Sequence, residues 1–170
     1  KNRDYAQVLE ERDGAGTPVV SYVYGDDLIS QERSSTASYF HYDGLGSTRA
    51  LTDGSGTATD AYNFEAFGTL LNKTGATENN YLFTGEQYDP NAGFYYLRAR
   101  WMNPETGRFL TVDPFAGFEF NPASLHSYLY AANNPVMFVD PSGEMVFLNL
   151  IGGQLGEQNI RAANDRSKVL

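Results

Sequence analysis

The chain has 170 residues, with 12 Lys and Arg against 21 Asp and Glu, two His, no Cys and a formal net charge of -9; its length suits one domain or part of one. An acidic chain without a basic stripe repels a phosphate backbone, which makes nucleic acid a poor partner. Zero cysteines exclude disulfides, thiolate nucleophiles, Cys-ligated zinc and iron–sulfur clusters.

His41 and His126 stand far apart with no second His nearby, so no metal site and no cofactor is expected, and each His is read as a structural contact. The longest apolar stretch, residues 145–151, is far short of the roughly 20 residues that span a bilayer. The chain begins at Lys1 without a leader-like pattern, which suggests processing or excision from something longer. Aromatics make up 14%, nearly all Tyr and Phe, alongside 17 Gly and 7 Pro. That mix favours strands joined by tight turns, and no long run of helical period occurs before about residue 150, so the expected fold is all-β.

Along the chain, aromatic-x-aromatic units recur at Tyr22-x-Tyr24, Tyr39-Phe40-x-Tyr42, Tyr62-x-Phe64 and Tyr81-x-Phe83. Alternation puts both rings of a unit on one face of a strand, so stacked units are expected to form a ladder of rings. Between them lie Gly25-Asp26-Asp27, Asp43-Gly44-Leu45-Gly46, Asp53-Gly54-Ser55-Gly56 and Phe67-Gly68, all suited to hairpin loops with a positive φ. The pattern predicts successive antiparallel β-hairpins.

A duplication follows. Residues 89–95 and 103–109 share Asx-Pro-x-x-Gly-x-aromatic, a turn in which Asx caps, Pro pre-sets φ and Gly supplies the left-handed exit. Residues 94–101 (FYYLRARW) between them are expected to be one strand, with Tyr96, Arg98 and Arg100 on one face and Tyr95, Leu97, Ala99 and Trp101 on the other. The two arginines suit a solvated, ion-paired face, or anchors for a buried carboxylate. Further Asx-Pro steps occur at Asp113 and Asp140; any such step is first of all a turn former. After Gly143 the composition shifts: residues 145–151 suggest a short strand, Gly152-Gly153 a hinge, and the polar remainder has weak helical periodicity through Ile160, Ala163 and Val169.

Residues 41–53 (HYDGLGSTRALTD), 81–114 (YLFTGEQYDPNAGFYYLRARWMNPETGRFLTVDP) and 125–143 (LHSYLYAANNPVMFVDPSG) closely resemble the RHS repeat-associated core domain. That domain ends the RHS/YD-repeat shell of bacterial polymorphic toxins, of the C components of Tc toxin complexes and, more distantly, of teneurins. The resemblance implies that this chain forms the closing end, or plug, of a large hollow β-sheet cocoon. Residues 1–80 would be YD-repeat hairpins, 81–143 the core domain and 144–170 a post-core tail. Its implied partners are the N-terminal remainder of the shell, whose absence would leave open strand edges at the amino-terminal side, and an encapsulated toxin segment. Its implied destination is outside the producing cell, secreted or delivered at a surface.

The resemblance further implies aspartyl-type self-cleavage just after the DPSG motif, at Gly143, Glu144 and Met145, with Asp113 and Asp140 as the catalytic pair. It places Arg98, Arg100, Gly107, Arg108, Asn134, Pro135 and Pro141 in the core motif. Two adjacent carboxylates cannot both ionise freely, so one is expected to hold a proton that it can donate to the carbonyl while the other activates water. Glu144 stands where relatives commonly have a bulky apolar residue, and Asn103 where many have Asp. Residues beyond the cut are too few to fold alone, below the roughly 40-residue limit, so any toxin would be missing or truncated. The alternative is a non-catalytic surface YD-repeat module for adhesion or carbohydrate contact.

Overall fold

The aromatic units at 22–24, 40–42 and 62–64 are strands of one sheet. The computed structural model describes residues 6–114 and 125–144 and the backbone of 147–148. In it β1 (Glu10–Arg12), β2 (Pro18–Tyr24), β3 (Leu28–Arg33), β4 (Thr36–Tyr42), β5 (Thr48–Thr52), β6 (Ala58–Phe64) and β7 (Leu70–Thr74) form an antiparallel meander in sequence order. β2, β4 and β6 repeat nearly one burial pattern: Tyr22, Phe40 and Tyr62 are buried, Tyr24, Tyr42 and Phe64 half-buried, and the residues between them exposed. The two-residue period of a strand delivers both rings of each unit to one face.

The rings do not form the expected ladder. Units on β2, β4 and β6 are separated by an intervening strand, so their rings start roughly 10 Å apart. Two of them pack instead against the rings of the fourth unit, Tyr22 meeting Tyr81 edge-on at 5.0 Å and Phe64 meeting Phe83 at 6.1 Å, while Phe40 and Tyr42 stack on each other. The fourth unit is not a strand of this sheet. Tyr81 makes a single bridge to Gln87, and Phe83 opens a 3-10 turn, Phe83–Gly85. Asn79 brackets Tyr81 through both its N–H and its carbonyl, and Thr48 Oγ1 donates to the same carbonyl at 2.7 Å. This carries the chain off β7 and across the ring-lined face.

The hairpin turns share one construction. In the turns starting at Asp13, Asp43 and Asp53, the Gly three residues on donates to the Asp carbonyl, while Asp Oδ1 accepts the N–H groups two and four residues on. The closing glycines, Gly16, Gly46 and Gly56, sit at φ of 84–86°, where an L side chain is strained. Ser55 Oγ and the turn N–H groups hold the Asp53 carboxylate below its ordinary value of 3.8. A lowered folded-state value stabilises the turn above the unfolded-state range, and that contribution is lost as pH falls through the lowered value. Asp53→Asn keeps an acceptor without a charge. It is therefore expected to flatten the acid limb of the urea-unfolding midpoint against pH, and an unchanged limb would show that this turn does not titrate.

The second half builds a four-stranded meander from β8 (Gln87–Asp89), β9 (Phe94–Leu97), β10 (Arg100–Asn103) and β11 (Arg108–Phe109). The duplicated Asx-Pro sequences are its β8–β9 and β10–β11 turns. Gly93 and Gly107 donate to the carbonyls of Asp89 and Asn103, and the Asx Oδ1 atoms accept from Asn91 and Glu105, each at 2.8 Å. Asn103 thus serves as a turn former.

Residues 94–101 are a hairpin and not the single strand expected. Leu97 pairs with Arg100, Arg98 and Ala99 form the turn, and Arg98 sits at φ 59°. Cross-strand partners share a face, so Tyr95, Leu97, Arg100 and Met102 are buried while Tyr96 and Trp101 face out. Arg100 is consequently inside, opposite to its expected grouping with Tyr96. The buried side of this sheet covers the ring face of the first: the Tyr95 hydroxyl donates to the Gly68 carbonyl and its ring packs at 6.0 Å from Phe83.

β12 (Phe138–Val139) pairs with β13 (Phe147–Leu148), which falls inside the stretch read as a short strand. Met145, the Gly152-Gly153 hinge and the helical reading of the tail lie outside the described residues. Among the described residues, β1 ends the large sheet with three residues and β7, exposed throughout, ends it on the other side. Both are open to further strand pairing. No helix of the described residues is long and apolar enough to cross a membrane.

Candidate functional site

The β9–β10 turn delivers three consecutive residues to the DPSG segment. Arg98 Nη1 donates to the Pro141 carbonyl, the Ala99 N–H to the Ser142 carbonyl at 3.2 Å, and Arg100 Nε to the Gly143 carbonyl. The DPSG segment meets them as a turn of the same kind that joins the hairpins. Asp140 Oδ1 accepts from Ser142 Oγ and from the Glu144 N–H, both at 3.2 Å, and the Gly143 N–H returns to the Asp140 carbonyl. The Gly143–Glu144 peptide is therefore held from both sides, its carbonyl by a guanidinium and its N–H by a carboxylate.

Arg100, 3% exposed, is the hub. Its Nη2 lies 2.7 Å from Asp113 Oδ2 and 3.4 Å from Asp140 Oδ2, so the two carboxylate oxygens are no further apart than the sum of those distances. Nη1 donates to the Ser127 carbonyl at 3.3 Å, and the guanidinium lies 3.6 Å from the centre of the Phe109 ring. Asp113 is carried to the site by the segment after β11, where its own N–H donates to the same Ser127 carbonyl at 2.8 Å. The two aspartates singled out in the sequence are thus brought together, on one nitrogen. The guanidinium cation between the two carboxylates offsets their mutual repulsion.

Arg98 bonds to Glu86 Oε2 at 2.7 Å as well as to Pro141. The remaining motif residues make contacts of their own. Gly107 is packed under the Phe67 ring; Arg108 is exposed and bridges to Leu129 through its backbone. The Asn134 carbonyl accepts from Met137 and Phe138, and Pro135 is buried beside it. Glu144 is exposed beyond its N–H contact. Both histidines lie on the surface in local bonds, His41 with Thr52 Oγ1 and His126 with the Tyr128 N–H.

Glu86, Ser127, Tyr130 and Ser142 enter the site without having been singled out in the sequence. Tyr130 is fully buried between Phe83 and Phe109. Burial pushes its phenol far up, with the nearby Glu86 and Asp140 carboxylates adding to the effect, so it stays a neutral hydroxyl. LHSYLYAANNP carried the signal for Ser127 and Tyr130 as part of a motif. Glu86 stands in the matching stretch YLFTGEQYDP, where nothing set it apart from its neighbours.

A family model described as Teneurin YD-shell matches residues 3–136. The tRNA nuclease WapA of Bacillus subtilis strain 168 is 36% identical over 155 residues, 88% of this chain and 7% of that protein. The salivary gland surface protein 1 of Aedes aegypti is 30% identical over 145 residues, 81% of this chain and 4% of that protein. A structure of the Photorhabdus luminescens Tc holotoxin pore superposes with a TM-score of 0.65 at 19% identity over 85% of this chain and 7% of that one. The chain therefore spans less than a tenth of the length of each of these relatives.

Proposed function

The chain belongs to the teneurin YD-shell family, and from that premise we propose that it closes a toxin-encapsulating shell and cuts its own chain beside the DPSG turn. Residues 1–80 supply wall hairpins, 81–143 the closing core, and 144–170 a post-core tail, of which the shell releases the part beyond the cut. The remaining shell and an enclosed toxin segment are the partners, and the destination is outside the producing cell. The observation that supports self-cleavage most directly is the convergence on Arg100 of both aspartates and of the Gly143 carbonyl.

An aspartyl-type hydrolysis needs a group to take a proton from water, a group to return one to the leaving nitrogen, and donors for the oxyanion. Asp113, whose side chain keeps 17% exposure, is the better placed to meet water. Asp140 already touches the backbone N–H of Glu144, and Arg100 stands at the preceding carbonyl. Holding the preceding peptide on both sides removes orientational freedom from the bond to be cut. Water adds to the carbonyl carbon and the C–N bond breaks. The proton taken from water goes to the released nitrogen. Glu144–Met145 is the bond that follows the held peptide.

Mass spectrometry of the full-length expressed polypeptide tests this. The expected fragment ends at Glu144, and one ending at Gly143 would mean that the held peptide itself is cut. Asp113→Asn and Asp140→Asn should each abolish the fragment while the polypeptide still folds.

The similarity to a protein named for a salivary gland surface favours a second reading, a non-catalytic surface module for adhesion or carbohydrate contact. A groove of about 410 Å³ lined by Tyr88, Tyr96 and Trp101 beside Asn80, Gln87 and Asn91 is where a saccharide would be sought. An uncut polypeptide with all wild-type residues would support that reading over the first.

A further inference from the structure

Three carbonyls in a row, those of Pro141, Ser142 and Gly143, accept from three residues in a row, Arg98, Ala99 and Arg100. The clamp reads backbone and not side chains, so its aim depends on what fixes each donor. Ala99 donates from the main chain. Arg100 is fixed by Asp113, Asp140, the Ser127 carbonyl and the Phe109 ring. Arg98 has a left-handed backbone, a side chain 25% exposed, and an ion pair at 2.7 Å to Glu86, whose side chain is 6% exposed.

Glu86 is in turn fixed by the shell wall. It follows the 3-10 turn Phe83–Gly85, and its carbonyl accepts the Leu82 N–H at 3.1 Å. That turn is pinned to the wall where Ser47 Oγ accepts the Thr84 N–H at 2.9 Å and the Leu82 carbonyl accepts the Thr48 N–H at 2.9 Å. Ser47 and Thr48 belong to the end of the Asp43 hairpin turn and the start of β5, and both are buried.

We propose that Glu86 and Arg98 are positioning residues of the self-cleaving site: the buried Glu86 carboxylate aims Arg98 at the Pro141 carbonyl and so sets the DPSG turn on the β9–β10 hairpin. The proposal rests on the reading of the site as self-cleaving. It assigns a role to an acidic residue that the sequence did not single out, and it ties the cut to a correctly formed wall hairpin. An ion pair that served stability alone would change the fraction of folded chain. A positioning pair changes the rate of cutting within folded chain, because misplacing a reacting group by about 1 Å can cost on the order of a hundredfold in rate.

The test uses the full-length polypeptide with Glu86→Gln, which keeps shape and removes charge, and with Arg98→Met, which removes the one nitrogen, Nη1, that serves both Glu86 and Pro141. Self-cleavage is followed by mass spectrometry, global folding by the urea midpoint, and the turn by deuterium uptake of residues 140–144. The expected result is a cleavage rate at least about tenfold lower, with uptake accelerated over 140–144 and unchanged over β2–β6. Unchanged cleavage with unchanged uptake at 140–144 overturns the proposal. So does a loss of cleavage that only tracks the folded fraction, with uptake raised evenly across the wall. If the wild-type polypeptide is not cut, the cleavage reading fails by itself. The positioning role is then judged on uptake alone: local acceleration at 140–144 supports it and its absence overturns it.

Discussion

Arg100→Met is expected to be among the most destabilising single substitutions in the chain, costing about 3–5 kcal/mol. The side chains of Arg100 and Asp140 are 3% and 1% exposed, so little solvent is at hand to take over the lost charge. Removing the guanidinium leaves two carboxylates close together with no cation between them, and it strips donors from the Gly143 and Ser127 carbonyls. An uncompensated buried charge costs far more than an intact pair contributes. The packing of Met against Phe109 recovers part of the apolar contact but none of the charge. Urea unfolding at an unchanged slope measures the loss directly. Its origin is separable: if orphaned carboxylates are the cause, Arg100→Met/Asp113→Asn/Asp140→Asn should be more stable than Arg100→Met alone. Arg100→Lys should fall between wild type and Met, because an ammonium cannot reproduce a fork that serves two carboxylates and two carbonyls at once. A loss of less than about 1 kcal/mol for Met would place the pair in the class of solvated surface bridges.

Much of the wall was legible in the sequence, for a reason that the strands make plain. Aromatics two residues apart state which face is buried, and Asp-Gly-x-Gly states both the turn and its register, so β2, β4, β5 and β6 follow from local chemistry. Where the local signal was silent, reading failed. The β3–β4 turn is Ser34-Ser35, both at positive φ without a glycine to announce it. In the stretch FYYLRARW, apolar–polar alternation hid a two-residue turn at Arg98-Ala99 that reverses the phase of Arg100. Tyr81-x-Phe83 repeats the spacing of a wall strand. Its place was decided instead by tertiary contacts to Tyr22, Phe64 and Thr48.

The site divides along the same line. Asp113 and Asp140 were found through their motifs, and anchoring of a buried carboxylate was one of two readings of Arg100, yet nothing in the spacing of residues 100, 113 and 140 states that the three meet. The covering of the ring face by the chain's own second half was equally hidden, as it depends on contacts between residues more than 20 apart, such as Tyr95 with Gly68.

Under the proposed self-cleavage, Gly143→Ala is expected to remove the cut almost entirely, although it changes neither a charge nor a donor. Gly143 sits at φ 70° with its Cα facing the hairpin, and an added Cβ would collide with the Leu97 carbonyl oxygen and approach Arg100 N to 3.0 Å. Both neighbours are backbone of a paired β9–β10 turn, so neither can swing aside as a flexible side chain would. The left-handed conformation costs an alanine about 1 kcal/mol or more and the overlap a further ~1–3 kcal/mol. The cheaper escape is for residues 141–144 to lift from the hairpin. Lifting breaks the carbonyl contacts with Arg98, Ala99 and Arg100 together, because they are made by adjacent residues on both sides. It also draws the Glu144 N–H away from Asp140, and so frees the residue at the proposed cut from the aspartate that holds it. The wall should keep its unfolding free energy in urea to within about 1 kcal/mol of the parent. A Gly143→Ala polypeptide cut at the wild-type rate would mean that the turn need not dock on the hairpin for the reaction. The clamp would then be a feature of the folded plug and not of its chemistry.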